Sequence, residues 1–441
     1  MIEATKNAFL LPDLRRKIIF TLLILVVYRA VSQIPVPTVD SVILSEFLTM
    51  GLAGAQGQEI VEFINLLAGG ALLQFSVLAM GVYPYITASI IMQLLTPMVP
   101  YFEELAKEGE QGRNKITQYT YWMTVPLAAV QAYGQIILIQ QAFPGIVPNF
   151  GSSVIVTLTT IFSMTAGSMF AVWLGEQITE SGVGNGVSII IFGGIVTELP
   201  RRIWQLIQLG EVVPLLAFTF ITVLTILAIV VFSEGQRRIP VQYGRRVRGT
   251  KVYGGQSTHV PLKVNSSGMI PLIFAQSLMI FPGSIAAFLA TSSNTTVASI
   301  ANFIAQWFSP TLYAWPYWIM YFVMVALFTF FYTDVTFKNQ RLAENLQRQG
   351  GFIPGLRPGK ITNEFLITVL RRITLVGAVC LGAVAVSPWV VQLFIPTGVA
   401  GQIDTLLINS AGLLIVVGVA LDTMKQLESQ LLMRKYEGFI K

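Results

Sequence analysis

Residues 61–75, VEFINLLAGGALLQF, form an apolar segment broken by Gly69 and Gly70, and a second apolar run (76–96, SVLAMGVYPYITASIIMQLLT) follows at once. A helix needs about 20 apolar residues to cross a bilayer, so the first segment is too short to span it. Because backbone groups at membrane depth cannot be left facing lipid, such a segment has to be enclosed by protein. A short helix that enters and turns back is able to fill a cavity. The pattern therefore predicts a segment that closes a cavity and is able to leave it, which would act as a gate.

The overall composition is that of an integral membrane protein. Mean hydropathy is +0.68, and only 11% of the residues are charged, against about 25% in soluble domains. A net charge of +6 in a polytopic protein indicates basic cytoplasmic loops rather than nucleic-acid binding. Cys380 is the only cysteine, so the sequence contains neither a disulfide framework nor a cysteine metal site.

The first apolar stretch has two possible interpretations. The basic residues LRRK (14–17) followed by IIFTLLILVVYRAV also fit a secretory signal peptide. No small-residue cleavage site follows, however, and Arg29 lies in the distal part of the stretch. We therefore interpret it as the first retained span.

Hydropathy predicts an all-α polytopic protein. Ten spanning segments are expected, near residues 17–34, 76–96, 118–140, 153–174, 186–199, 214–233, 268–290, 314–333, 372–394 and 407–424.

The positive charges predict the orientation of these spans, because short cytoplasmic loops carry an excess of Lys and Arg. The basic residues fall at both termini and in the loops that follow the second, sixth and eighth spans. Both termini are therefore expected in the cytoplasm. Arg201 and Arg202 are an exception, in a loop that this topology places outside. The opposite side has four stretches without Lys or Arg, at 35–60, 141–152, 291–313 and 395–406.

Ten spans divide into two halves of five, and an odd number of spans makes the second half enter the membrane from the opposite side. We expect an N-terminal half at 1–199, which holds the short segment 61–75. The C-terminal half at 200–441 holds two long cytoplasmic loops, 234–267 and 334–371.

These two loops are Gly-rich and basic, and they support two interpretations. Their charges set the topology in either case. Loops longer than about 12 to 15 residues, however, tend to be functional or disordered. Arg357 lies between Pro354 and Pro358, where its guanidinium suits a carboxylate or phosphate on a partner. RNA and an acidic protein surface are both possible targets.

No catalytic constellation, cofactor motif or metal site is expected, so the protein is not predicted to be an enzyme. His259 lacks a second His or Cys at metal-ligand spacing. GVGNG (182–186) and RPGKIT (357–362) do not match phosphate-binding loops. A solute transporter is an alternative, but ion-coupled carriers usually bury an ionisable group, and no predicted span has an acidic residue at its centre. A membrane scaffold would leave the short segment without a function.

Five motifs in order resemble the bacterial SecY family, which forms the Sec protein-translocation channel. The motifs are NLLAGGALLQFSVLAMGVYPYITASIIMQLL (65–95), GEQITESGVGNGVSIIIFGGI (175–195), EGQRRIPVQYGRR (234–246), PLKVNSSGMIPLIFAQSL (261–278) and AENLQRQGGFIPGLRPGK (343–360). The resemblance implies a protein-conducting channel of the general secretory pathway in the plasma membrane. Unfolded polypeptides would cross it, and transmembrane segments would leave it laterally into the bilayer.

The resemblance also implies roles for individual residues. Taken singly, each is an ordinary position in a helix or loop, and only the resemblance selects it. A plug at 61–75 would include Asn65, Gly69 and Gly70. A pore ring would consist of Val82, Ile86, Ile191, Ile273 and Ile415. A lateral gate would include Gln93, Gln131 and Asn265, although these amides fit equally well as local caps. A docking surface would consist of Arg237, Arg238, Arg245, Arg246, Arg357 and Lys360.

The partners implied by the resemblance are the membrane subunits SecE and SecG, the SecA motor, and the ribosome with its RNA and protein. Signal sequences, nascent polypeptides and membrane lipid complete the set.

Overall fold

The computed structural model describes most of the chain. The described residues are 11–40, 43, 71–72, 74–142, 145–208, 212–243, 245–248, 251–254, 257–268, 270–289, 295–308, 315–340, 342–394 and 410–437. The predicted plug residues Asn65, Gly69 and Gly70 lie outside them.

Within the described residues the fold is mainly helical. The helices are α1 (Pro12–Val31), α2 (Tyr83–Met98), α3 (Pro100–Lys107), α4 (Glu110–Ala142), α5 (Val154–Ser181), α6 (Gly186–Gln208), α7 (Val212–Glu234), α8 (Ile270–Leu289), α9 (Thr295–Phe308), α10 (Trp315–Gln340), α11 (Leu342–Arg348), α12 (Lys360–Phe394) and α13 (Ser410–Glu437). The strands are β1 (Gln236–Tyr243), β2 (Arg245–Arg248), β3 (Lys251–Gly254), β4 (Ser257–Lys263) and β5 (Gly351–Phe352).

Each predicted span overlaps a helix. By length and hydropathy, three described helices are able to cross a membrane, those beginning at Val154, Trp315 and Lys360. The bent pair α2 and α3, with an angle of 95° between them, makes up to four.

Several predicted boundaries were wrong. The second span begins at Tyr83 rather than residue 76, because residues 76–82 form turns. The expected loop 334–371 is largely helical, since α10 continues to Gln340 and α12 already starts at Lys360. Pro200 does not end α6, which continues to Gln208. Helix α9 was not predicted at all.

The described residues of the turn segment 71–82, which are 71–72 and 74–82, are mostly buried although they are not helical. Its backbone finds partners in the strand-like residues after α1: the Val36 amide donates to the Phe75 carbonyl at 3.0 Å, and the Val77 amide donates to the Ile34 carbonyl at 3.0 Å. Phe75 adopts a positive φ of 44°. Irregular backbone at membrane depth is tolerated only where protein groups satisfy it, and these hydrogen bonds meet that condition.

Helix α5 closes the other side of the segment. The Ser168 hydroxyl donates to the Gly81 carbonyl at 2.7 Å, and Ser168 is fully buried. A Cβ on Gly167 would lie 2.0 Å from the Val77 carbonyl oxygen. Only glycine permits this approach of α5 to the segment.

Packing divides the chain into two compact units. The first consists of Met1–Leu215, Ser277–Tyr317 and Ile415–Lys441, and the second of Leu216–Gln276 and Trp318–Leu414. The predicted halves 1–199 and 200–441 would be related by internal symmetry. The division into compact units does not test that prediction.

The second unit contains a small β-structure that the sequence did not predict. Strand β1 pairs antiparallel with β4 and with β5, giving the order β4-β1-β5, and β2 pairs with β3 in a hairpin. The sheet and helices α10, α11 and α12 share one apolar core. Its buried members include Ile239, Val241, Leu262, Phe337, Leu346, Ile353 and Leu366.

We expect Gly167→Ala to destabilise the protein, because the added methyl group meets a backbone carbonyl that cannot move aside cheaply. Overpacking of this kind costs about 1–3 kcal/mol. The change is measured as a lower thermal unfolding midpoint in detergent. Gly134→Ala on α4 is the matched control, since no atom lies within 4 Å of its added Cβ. Equal midpoints for both variants would contradict the proposed packing of segment 71–82.

Candidate functional site

The structure places all five candidate ring residues in buried positions. Val82 immediately precedes α2 and Ile86 lies one turn later, with its amide donating to the Val82 carbonyl at 3.1 Å. The other three lie on separate helices, Ile191 on α6, Ile273 on α8 and Ile415 on α13. A buried aliphatic side chain fits a closed ring and a packed core equally well. Their role in a ring therefore stays a prediction.

The candidate gate amides make local contacts. Gln93 Nε2 donates to Ser89 Oγ one turn earlier on α2, at 3.2 Å. Asn265 Oδ1 accepts from Ser267 Oγ at 3.3 Å, and Asn265 is buried.

Gln131 is the one of the three that reaches a different helix. Its Nε2 atom on α4 donates to Thr87 Oγ1 on α2 at 3.4 Å. Its buried Oε1 atom has no hydrogen-bond partner among the described residues. The amide therefore ties α4 to α2 by one long, weak bond.

A polar contact that sequence reasoning missed joins three helices. The Tyr121 hydroxyl on α4 donates to the Glu176 carboxylate on α5. The Tyr121 ring stacks on Tyr85 of α2, with centroids 5.5 Å apart. The fourth predicted span ends near residue 174, but α5 continues to Ser181 and places Glu176 inside the helix. The sequence signal that could have indicated this contact is the acidic residue Glu176 near the end of an apolar segment.

The motif GVGNG forms the connection between α5 and α6. Its Val183 is buried against Leu14 of α1 and Leu427 of α13. The structure therefore gives this motif a packing role.

The candidate docking residues lie on the small β-structure and beside it. Arg237 and Arg238 are exposed on β1, while Ile239 and Val241 of the same strand are buried. Arg245 and Arg246 pair with Gly254 and Tyr253 in the β2–β3 hairpin. Period-two alternation in QRRIPVQY was the available signal for β1, but Pro240 argued against a strand.

Arg357 lies in a turn that is fixed at both ends. Ile353 before it is buried in the apolar core, and the Arg357 carbonyl accepts a hydrogen bond from Thr362 Oγ1 at 2.8 Å. The Arg357 side chain is exposed, as is that of Lys360 at the start of α12. A cavity of about 300 Å³ lies beside this turn. Its lining includes Phe337, Leu342, Glu344, Gln347, Lys360 and Ile367.

Among the described residues, no group of three or more His, Cys, Asp or Glu side chains is arranged to hold a metal ion. His259 lies on β4 opposite Pro240.

Comparison with known proteins identifies relatives along the whole chain. The SecY family profile matches residues 76–424. Protein translocase subunit SecY of Halalkalibacterium halodurans is 44% identical over 456 residues, covering 100% of both chains. The same subunit of Mycobacterium tuberculosis is 41% identical over 451 residues, again covering 100% of both. That of Thermotoga maritima is 41% identical and covers 100% of this chain and 98% of its own.

Solved structures share the fold. A structure described as a protein conducting channel has a TM-score of 0.62 at 17% identity, and canine Sec61 in a ribosome-channel complex has 0.60 at 17%. Each covers 94% of this chain and 92% of its own. The family match over 76–424 and the full-length identity together carry the assignment: the chain belongs to the SecY family.

Proposed function

We propose that this chain forms the protein-conducting channel of the general secretory pathway and releases transmembrane segments sideways into the bilayer. The main support for this proposal is the full-length sequence identity of 41–44% between this chain and proteins named protein translocase subunit SecY. As a member of this family the chain is a subunit of a protein translocase, and the family is not one of enzymes. It is a multi-pass membrane protein.

The finer location rests on the family and on the charges. We place the chain in the plasma membrane because the resemblance to the SecY family implies it, and both termini in the cytoplasm because Lys and Arg collect on one side of the predicted spans. The halves 1–199 and 200–441 would then be related by an inverted pseudo-symmetry.

The proposed seal combines a plug with an aliphatic ring. Residues 61–75, with Asn65, Gly69 and Gly70, would fill the outer side of the pore. Residues 76–82 support this arrangement, because their hydrogen bonds to Ile34 and Ser168 fix the chain between the plug and α2. A ring of Val and Ile side chains excludes water and ions by desolvation. It also offers a moving polypeptide no hydrogen bond to hold it.

The proposed lateral gate would use Gln93, Gln131 and Asn265. Their present hydrogen bonds are 3.2–3.4 Å long, local for Gln93 and Asn265 and between two helices for Gln131. Hydrogen bonds between membrane helices contribute only about 0.6 to 2 kcal/mol, so exchange of partners is cheap. The gate would open between the second and third predicted spans on one side and the seventh and eighth on the other, and an apolar signal sequence would insert there and replace their contacts.

The proposed docking surface is basic and rigidly mounted. Arg237, Arg238, Arg357 and Lys360 are exposed around one apolar core, and Arg245 and Arg246 belong to the adjoining hairpin. Arginine forks bind carboxylates and phosphates, which suits the ribosome and the SecA motor. SecE and SecG are further proposed partners.

The central experiment compares two transport activities in proteoliposomes that contain the purified translocase. We expect an unfolded secretory precursor to become protease-protected when the motor and ATP are supplied. A small solute should not accumulate, because no ion-coupled site is proposed. Solute uptake without precursor translocation would instead identify a secondary transporter.

Replacing Ile86 and Ile191 by Gly should increase resting ion conductance, because two aliphatic side chains leave the ring. The conductance is measured in planar bilayers or by dye efflux. Val130→Gly is the control, since Val130 is exposed on α4 away from the buried positions. If the double variant is as ion-tight as the control, the constriction lies elsewhere.

Arg357→Glu should reduce precursor translocation several-fold while leaving membrane insertion of the protein unchanged, because the turn keeps its backbone anchors. Arg348→Glu at the end of α11 changes the charge by the same amount and is the control. Translocation is followed by protease protection. Undiminished translocation by Arg357→Glu would remove this residue from the docking surface.

A further inference from the structure

The bend between α2 and α3 turns the chain by 95°. Helix α2 ends at Met98 and α3 begins at Pro100, with Pro97 in the last turn of α2. Spanning helices lie on average within about 20° of the bilayer normal. A helix nearly perpendicular to α2 therefore runs along the membrane surface.

Helix α3 has an apolar half and a polar half. At about 100° per residue, Tyr101, Phe102 and Leu105 fall on one side, and Glu103 and Lys107 fall on the other. Lys107 Nζ lies 2.7 Å from Glu103 Oε1. The hydrogen bond from Lys107 lowers the pKa of the Glu103 carboxyl. The polar half of α3 thus carries an exposed ion pair.

Helix α3 is held in place by close packing against α4. Leu105 is buried, and a Cβ on Gly112 would lie only 1.8 Å from the Leu105 carbonyl oxygen. The two backbones touch at this glycine. The direction of α3 is therefore set by the first turn of α4.

An aromatic cluster joins α3 to α4. The Phe102 ring makes edge-to-face contacts with Tyr101, at 5.5 Å between centroids, and with Tyr119, at 5.8 Å. The Tyr101 and Tyr119 hydroxyls lie 3.4 Å apart. Rings with an apolar body and a polar tip are enriched where a membrane protein crosses the bilayer–water boundary.

The cluster continues into an exposed apolar surface of α4. Trp122, one turn beyond Tyr119, is 74% exposed, and Val125 and Val130 are exposed further along the helix. Helix α4 has 33 residues and is about 50 Å long, whereas the hydrocarbon core is about 30 Å thick. One end must therefore project beyond the hydrocarbon. Its first two turns, GluGlnGlyArgAsnLys from residue 110, are charged.

We propose that α3 and the aromatic anchor, defined as Met98, Tyr101, Phe102, Tyr119 and Trp122, lie in the headgroup layer of the membrane and fix this end of α2 and α4 at that depth. The occupant of this exposed surface is the interfacial lipid layer. Charge does not supply the attraction, because acidic residues in 100–115 outnumber basic ones. They are Glu103, Glu104, Glu108 and Glu110 against Lys107, Arg113 and Lys115.

The test measures the depth of single nitroxide labels in the full-length protein reconstituted in phosphatidylcholine vesicles. Cys380, the only cysteine, is first replaced by Ser. Labels are then attached at Tyr101→Cys and, as the matched control on the polar half of α3, at Glu103→Cys. Collision rates with oxygen, which partitions into lipid, and with a water-soluble nickel chelate report the surroundings of each label.

We expect the oxygen-to-nickel collision ratio to be several-fold higher at position 101 than at position 103. Met98→Cys is the second probe, because Met98 is 76% exposed and its replacement leaves every aromatic ring in place. It should give the same result as position 101. Equal nickel collision rates at 98, 101 and 103 would place α3 in water. Protection of 98 and 101 from both reagents would show a protein partner on this surface. Either result would overturn the proposal.

Discussion

Backbone amides and carbonyls at membrane depth need hydrogen-bond partners inside the protein. This requirement determines the structure around segment 71–82, which leads into α2 of the proposed channel. The non-helical segment 71–82 meets it through hydrogen bonds to residues 34–36 on one side and to Ser168 on the other. Gly167 allows α5 to approach closely enough to close that side. The start of α2 is thereby fixed, and with it Val82 and Ile86.

The second constraint is the apolar core that joins described residues of the two stretches 234–267 and 334–371. Residues from β1, β4, α11 and α12 share it, so basic side chains separated by more than a hundred positions in the sequence are carried on one body. A rigid mount lowers the entropy lost when a partner binds. In the proposed function, a force applied by a docked partner would reach the helices through α10 and α12 directly, since both continue from the core without a flexible connection.

The proposed mechanism separates strong from weak interactions. The side chains of the proposed ring have no polar atoms, so the ring would neither bind ions nor retain a translocating chain. The candidate gate amides make bonds of 3.2–3.4 Å, near the long limit for a hydrogen bond. Tyr121 and Glu176, by contrast, tie α4 to α5 through a charge-assisted hydrogen bond. The proposed gate would therefore move where contacts are weak and leave the helices behind it together.

Sequence alone predicted the helical membrane class and the approximate positions of the helices, because hydropathy is a local property. It also indicated the family, through five motifs in order. It failed where distant groups decide the structure. Residues 76–82 are apolar enough for a helix. Hydrogen bonds from residues 34–36 and from α5, however, satisfy the backbone groups of this segment in a turn conformation as well as a helix would. Strand β1, which contains Pro240, was not predicted, yet β4 pairs with it along its length and shared core residues stabilise it. Only the tertiary structure showed that α3 lies at nearly a right angle to α2. Pro97 and Pro100 indicate a helix break in the sequence, but the direction of the chain after the break depends on the packing of α3 against Gly112.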